Sequence, residues 1–316
     1  MIVHFHLPDF RKNYPLNMLI INMLKQYPMY FRENIKIGSI FGEFPTSLWN
    51  GGRFNGGDQC DATYIKEVIK HINAQGVPVR YTFTNPLITK SDLKDAYCNF
   101  CMQAADNNIN EVLVVSPILE MYIRKHYPGF KISSSTCKEI KDINALNNEF
   151  EKDYNLVVLD YNLNNQFDIL EQIKYKEKCE LLINSCCIPN CQRRGAHYKD
   201  IARRQRMCLE NRKLPPEKQK SLPDWKCEYG EVNSLYKLKN YTTYISPDDI
   251  WEKYVPMGFK HFKIEGRTTN LFSLIDTYCH YLMKPEFKDE GRLLLIANLE
   301  ANKVIAVNKP TRKRWP

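Results

Sequence analysis

A chain of 316 residues, 43% of them hydrophobic, can bury a large core, which excludes overall disorder. Its formal net charge of +9 is moderate for the length and permits an anionic partner without demanding one. No apolar run reaches the roughly 18 residues needed to span a bilayer, MIVHFHLPDF lacks a basic region followed by an apolar one, and eleven cysteines is an odd total for a disulfide framework; a cytoplasmic protein with reduced or metal-bound thiols and no membrane contact is expected.

Short apolar, β-branched runs alternate with longer segments of helical pattern, the sign of repeated strand–crossover–strand units in a parallel sheet. In chain order the predicted strands are 2–6, 35–41, 77–83, 111–115, 131–135, 156–159, 180–183 and 261–264. Between them, 61–73 reads as a helix stopped before Gly76, and 91–107 as another with Ser91 as its N-cap. A further start is Ser246-Pro247-Asp248-Asp249, where a cap residue precedes proline and two acids at the positive end of the helix dipole. Eight strands over about 265 residues predict a closed (β/α)8 TIM-like barrel over 1–285, in preference to an open doubly wound sheet. A cysteine-containing, basic insertion after strand seven occupies 186–243, and 286–316 is a C-terminal extension.

In barrels of this kind chemistry sits on the loops after the strands' C-terminal ends. On strand one His4 and His6 alternate, with Asp9 just beyond, and read either as a metal pair or as core histidines. After strand two, EFPTSLWNGGRFNGGDQCD places Glu43, Trp49, Asn50, Arg53 and Asp58 on a glycine-rich loop, read as a lid or substrate platform. Cys98 and Cys101 read as one packed helix face, and Cys60, Cys137, Cys179 and Cys279 as structural. Asp160, Tyr161 and Asn162 follow strand six as polar contacts, Asn162 for substrate.

After strand seven, SCCIPNCQRRGAHY carries Cys186, Cys187 and Cys191, with Cys208 and Cys227 further on. Thiolates are soft ligands that suit zinc or an iron–sulfur cluster, and Pro189-Asn190 favours a turn that lets Cys187 and Cys191 converge. Spacing leaves both metals open, as well as the reading of buried, idle cysteines. The insertion is also rich in arginine and lysine, from Arg193 to Lys226, and reads as a phosphate-binding surface or a solvated face. The tail NKPTRKRWP adds charge of the same sign. On strand eight Lys263, Glu265 and Arg267 alternate, so all three are expected on one side, as a mutual ion network or as catalytic groups. In the catalytic reading Arg267 holds an anion and Glu265 orients it or accepts a proton.

LLINSCCIPNCQRRGAHY, with Asn184, Cys187, Cys191, Arg194 and His197 in order, resembles the motif N-x-x-C-x3-C-x2-R-x2-H of peptidase family U32, the collagenase-like peptidases. FKIEGR, at 262–267, resembles that family's second signature. The resemblance covers roughly 1–285 and implies a barrel with a [4Fe-4S] cluster on Cys187, Cys191, Cys208 and Cys227, zinc being the alternative. Cys208 and Cys227 are assigned by order alone, and Cys186 competes with Cys187.

The function the resemblance implies is an iron–sulfur enzyme for oxygen-independent hydroxylation, or a related modification, of an RNA base or small aromatic substrate. Two alternatives stand beside it. One is a peptidase, against which the chain shows no nucleophile elbow and no HExxH. The other is a non-enzymatic RNA-binding or accessory subunit, working with a partner subunit and using the metal site as a structural staple.

Overall fold

The eight apolar runs pair side by side in chain order and the last closes on the first. The computed structural model describes residues 1–51, 60–223, 227 and 234–306. Its strands are β1 (Val3–Pro8), β2 (Ile35–Gly42), β3 (Val79–Phe83), β4 (Glu111–Val114), β5 (Lys131–Ser134), β6 (Val157–Val158), β7 (Cys179–Leu182) and β8 (His261–Lys263). Every neighbouring pair is parallel, including β8 on β1, so no sheet edge remains open. The expected barrel is present, each strand within about two residues of its reading in the sequence.

The crossovers, and the segment after β8, are helical. They are α1 (Tyr14–Gln26), α2 (Ala62–Ala74), α3 (Ala96–Ala105), α4 (Pro117–His126), α5 (Ile143–Phe150), α6 (Phe167–Leu170), α7 (Arg194–Asn211), α8 (Leu235–Leu238), α9 (Pro247–Asp249), α10 (Leu271–Leu282) and α11 (Lys288–Ala301). Caps set several of the starts. Asp61 accepts from the Tyr64 amide at 2.8 Å and Ser246 from the Asp249 amide at 3.0 Å. Ser91 is not the cap expected of it: a short 3-10 turn follows it, and Asp95 caps α3 through the Cys98 amide at 2.8 Å. Cys98 and Cys101 are buried on one face of α3. At the end of the described chain α11 packs on α10 and α1, burying Leu295 and Leu299. Among the described residues no helix is long and apolar enough to cross a membrane.

Barrels of this class ordinarily fill their centre with valine, isoleucine and leucine. This one places charge there. Arg80 on β3, fully buried, donates to Glu111 Oε2 of β4 at 2.6 Å and to Glu180 Oε2 of β7 across the barrel. His6 of β1 meets Ser39 at 2.8 Å and His261 of β8 at 3.1 Å, and Lys263 lies 3.4 Å from Glu180 Oε1. His6 is therefore a core histidine bound into this network, and His4 stacks on His261 with ring centroids 4.8 Å apart.

The network has a pH signature. Burial, with His4 next, pushes His261 down to about 3, and burial holds His6 well below its usual range. A histidine shifted this way stays neutral in the folded chain while the unfolded chain takes up a proton, so stability falls as pH drops below about 6.5. Glu180 acts in the same direction at lower pH. Burial opposes its charge, but the neighbouring basic groups, Arg80 foremost and Lys263 with it, together outweigh burial and keep its pKa depressed, so the stability it contributes is lost as pH falls below its usual 4.5. Each such histidine steepens the dependence by about 1.4 kcal/mol per pH unit. Urea midpoints are expected to fall clearly between pH 7.5 and 5.0; equal midpoints would show that these imidazoles are not held neutral.

Candidate active site at the barrel mouth

β8 ends at Lys263, so the alternation expected of Lys263, Glu265 and Arg267 stops before the second of them. The three side chains part company, Lys263 pairing with Glu180 on β7, Glu265 with the loop just after β7, and Arg267 with Glu43 and Thr82 at the ends of β2 and β3. Lys263 remains in the interior, paired with Glu180 and 4.1 Å over the Phe41 ring. Burial, with help from the nearby Arg80 and Arg267 charges, pushes its amine down to about 8 against the opposing pull of Glu180. Glu265 Oε2 accepts from the Cys186 amide at 2.9 Å, while Asn184 grips the Glu265 backbone at both N–H and C=O. Arg267 reaches across the mouth, donating to Glu43 Oε2 at 2.7 Å and Thr82 Oγ1 at 2.8 Å. The expected mutual Lys–Glu–Arg network is thus replaced by three separate ones.

Glu43 stands at the head of β2, as a mouth residue should, and Thr82 on β3 donates to it at 2.7 Å. Asp9, at the end of β1, lies close enough that Glu43 and Arg267 both act on it. Burial and then the Glu43 charge raise its carboxyl, against amide donation from Lys12 and Arg11. Two carboxyls and one guanidinium therefore share the β1–β2–β8 corner, a set able to hold an anion and move a proton.

Other residues expected to touch substrate do structural work instead. Trp49 is fully buried; its indole N–H donates to the Asp92 carbonyl at 2.8 Å and its ring meets Phe83 edge-on, so it belongs to the core and not to a platform. Asn50 is buried too and donates to the Thr82 carbonyl at 3.1 Å, bracing the strand that carries Thr82. Asn162 has its amide engaged at both ends: Nδ2 donates to Asp160 at 2.7 Å, and Oδ1 accepts from the Asn190 amide at 2.7 Å. It pins the cysteine turn, where Asn190 takes a left-handed φ of 55°. Arg53 and Asp58 lie outside the described residues.

The Cys187 and Cys191 thiols lie against one another beside the Tyr161 hydroxyl. Burial pushes Cys187 up to about 11, Tyr161 opposes the rise by hydrogen bonding, and the neighbouring Cys191 and Glu265 add to it. Tyr161 in turn donates to the Ile188 carbonyl at 3.2 Å. Cys208 stands apart from this pair. Cys208 is near the far end of α7, about 20 Å along the axis from Arg194 at ~1.5 Å per residue. Thiolates sharing a zinc each sit about 2.3 Å from it, and a cluster also needs its ligands gathered, so Cys191 and Cys208 do not fit one metal centre in this arrangement. Among the described residues no three His, Cys, Asp or Glu side chains form a metal-ligand group.

What keeps Cys208 away is α7 itself, which the sequence shows only as a basic stretch. The helix is a bar across the barrel mouth. At its start, the buried Arg194 donates to Asp160 Oδ2 at 2.6 Å and Thr136 Oγ1 at 2.8 Å, with its guanidinium 4.3 Å over the Tyr161 ring. About 18 Å further on, at ~1.5 Å per residue, Gln205 donates to the Ser47 carbonyl and Arg206 forks onto both oxygens of Asp92 at 3.0 and 2.7 Å. The first anchor lies after β5 and β6, the second after β2 and β3, on the opposite side of the ring. Two of the insertion's arginines are therefore latches. Arg193, Lys199, Arg203 and Arg204 remain exposed on its outer face.

No protein-family model matches the chain, and no curated protein matches it. Among solved structures it is similar to the U32 peptidase Mk0906, with 12% identity, a TM-score of 0.46, and coverage of 84% of this chain and 94% of that one. At that identity and overlap, no residue role is carried from one protein to the other.

Proposed function

We propose that the chain is an enzyme that modifies an anion-bearing planar substrate, an RNA base or a small aromatic compound, at the barrel mouth beneath α7. The supporting observation is the convergence of Arg267, Glu43 and Thr82 at the strand ends, with the buried Lys263 amine below them. In this reading Arg267 holds the substrate's anionic group, exchanging Glu43 for it, and Asp9 or Glu43 moves a proton. Lys263, with a pKa near 8, exchanges a proton close to neutrality. Water is limited by the α7 bar and by the packed loop around Trp49.

Oxygen-independent hydroxylation is the reaction that the family resemblance implies. A metal or cluster recruited to this mouth would take Cys187 and Cys191 as its first two thiolates, and completing four would require α7 to leave its present seat. Anaerobic titration with ferrous iron and sulfide, or with zinc, is expected to bring up charge-transfer absorbance or stoichiometric metal that Cys191→Ala abolishes. Comparative mass spectrometry of RNA and small metabolites tests the enzyme itself: a strain lacking the protein should lose one modified base or aromatic product and regain it with the wild-type chain. Identical profiles with and without the protein contradict the proposal.

A further inference from the structure

Strand register carries the barrel interior upward from the charged layer to the mouth. Glu111 and Glu180 point inward at Arg80, so Leu113 and Leu182, each two residues further along its strand, face the same interior one step nearer the mouth. Phe41, two past the inward Ser39, adds an aromatic ring to this apolar collar, and the Lys263 amine lies 4.1 Å over that ring. The collar is covered without being sealed. The Lys263 side chain is 8% exposed, whereas Arg80 and Glu180 beneath it are at 0%. A small molecule entering the mouth therefore meets the amine before the charged layer.

The amine is loosely held. Glu180 Oε1 is 3.4 Å away, beyond the ordinary length of an N–H···O bond, and the other oxygen of that carboxylate belongs to Arg80. Burial, then the Arg80 and Arg267 charges, bring Lys263 down to about 8, so at pH 7 roughly 300 times more of it is neutral than of a lysine in water. A desolvated, neutral lysine is a nucleophile toward carbonyl carbon. Above it Arg267 shares the same Phe41 ring, with its guanidinium carbon 5.8 Å from the centroid. One small space thus offers an anion-holding fork and, deeper, a nucleophilic nitrogen.

We propose that Lys263 forms an imine with a small aldehyde or ketone whose carboxylate or phosphate is held by Arg267. The proposal rests on the reading of the mouth as an active centre and names the reacting group of its substrate. The nitrogen lone pair adds to the carbonyl carbon, and the π pair of the C=O bond moves to oxygen, which takes up a proton. The oxygen and the two N–H protons then leave as water, a C=N bond remains, and no oxidant or reductant is consumed. Asp9, its carboxyl raised by burial and by Glu43, lends the proton that the departing oxygen needs.

Reductive trapping tests this on the full chain: glyoxylate, glycolaldehyde phosphate or propanal is added at pH 7 with cyanoborohydride, and the adducts are mapped by peptide mass spectrometry. Lys263 should be labelled at least about tenfold faster than any surface lysine, and at least about tenfold faster by the anionic aldehydes than by propanal. Faster labelling by glyoxylate assigns a carboxylate substrate, and faster labelling by glycolaldehyde phosphate a phosphate. Arg267→Ala should slow both anionic aldehydes to the rate of propanal. Lys263→Arg, which keeps a cation beside Glu180, should lose the adduct. The map of the wild-type chain needs no variant, so a substitution that fails to fold does not shield the proposal. Surface lysines labelled while Lys263 stays unmodified by all three aldehydes would overturn it, as would labelling of Lys263 by propanal as fast as by the anions. Loss of product in Arg267→Ala from a chain whose Lys263 takes no adduct would leave the mouth reading standing without the imine.

Discussion

Replacing Arg80 with methionine is expected to unfold the protein or leave it insoluble. The guanidinium is wholly buried and bridges Glu111 and Glu180, so its removal strands two carboxylates inside the barrel beside neutral histidines. Breaking a buried pair from one side costs about 3–5 kcal/mol, and a typical domain has only about 5–15 kcal/mol in hand. The partner charges make the loss partly reversible. Adding Glu180→Gln to Arg80→Met removes the worst of the unpaired charge and should recover a measurable part of the urea midpoint. A single Arg80→Met variant within about 1 kcal/mol of wild type would show that the interior does not depend on this network.

The second large effect is local. Arg194→Ala removes the latch that ties the start of α7 to Asp160 and Thr136 and leaves the Asp160 carboxylate buried without its cation. A loss of about 3 kcal/mol falls on the helix and the cysteine turn, while the barrel strands keep their pairing. Trypsin cleavage after the exposed Arg203 and Arg204 should accelerate by roughly 100-fold, with hydrogen exchange along α7 rising to match. Arg206→Ala should do less, because the Arg206–Asp92 pair is partly open to solvent. Unchanged cleavage in Arg194→Ala would mean that α7 is held by something other than this latch.

The strands were legible because apolar, β-branched runs such as 35–41 and 111–115 cannot sit in water, and eight of them separated by helical segments leave few topologies. Their interior charge was less visible, although the signal was there: Arg80 in VRYTF and Glu180 in CELL are charged residues set within strands. Glu43 and Arg267 stand out in the sequence as charges just past strand ends, and their meeting follows from closure of β8 on β1. Trp49 misled because a tryptophan in a glycine-rich loop reads as a contact surface, whereas its ring is buried against Phe83. The course of α7 was hidden for a different reason. Its 18 residues carry many arginines and no clear apolar stripe, since its hold on the barrel comes from Arg194, Gln205 and Arg206. Position in the sequence placed Cys208 with Cys187 and Cys191; a helix axis separates them.

The claim that the mouth is an active centre is tested most directly by complementing a strain that lacks the protein with two variants and measuring the missing product by mass spectrometry. Arg267→Ala, which removes the anion-holding fork but leaves Glu43 hydrogen-bonded to Thr82, should restore less than about 1% of the product at wild-type protein levels. Arg203→Ala with Arg204→Ala, on the outer face of α7, should restore it nearly in full. The opposite pattern, full restoration by Arg267→Ala and failure of the outer-face variant, would contradict the account and make the exposed arginines the working surface.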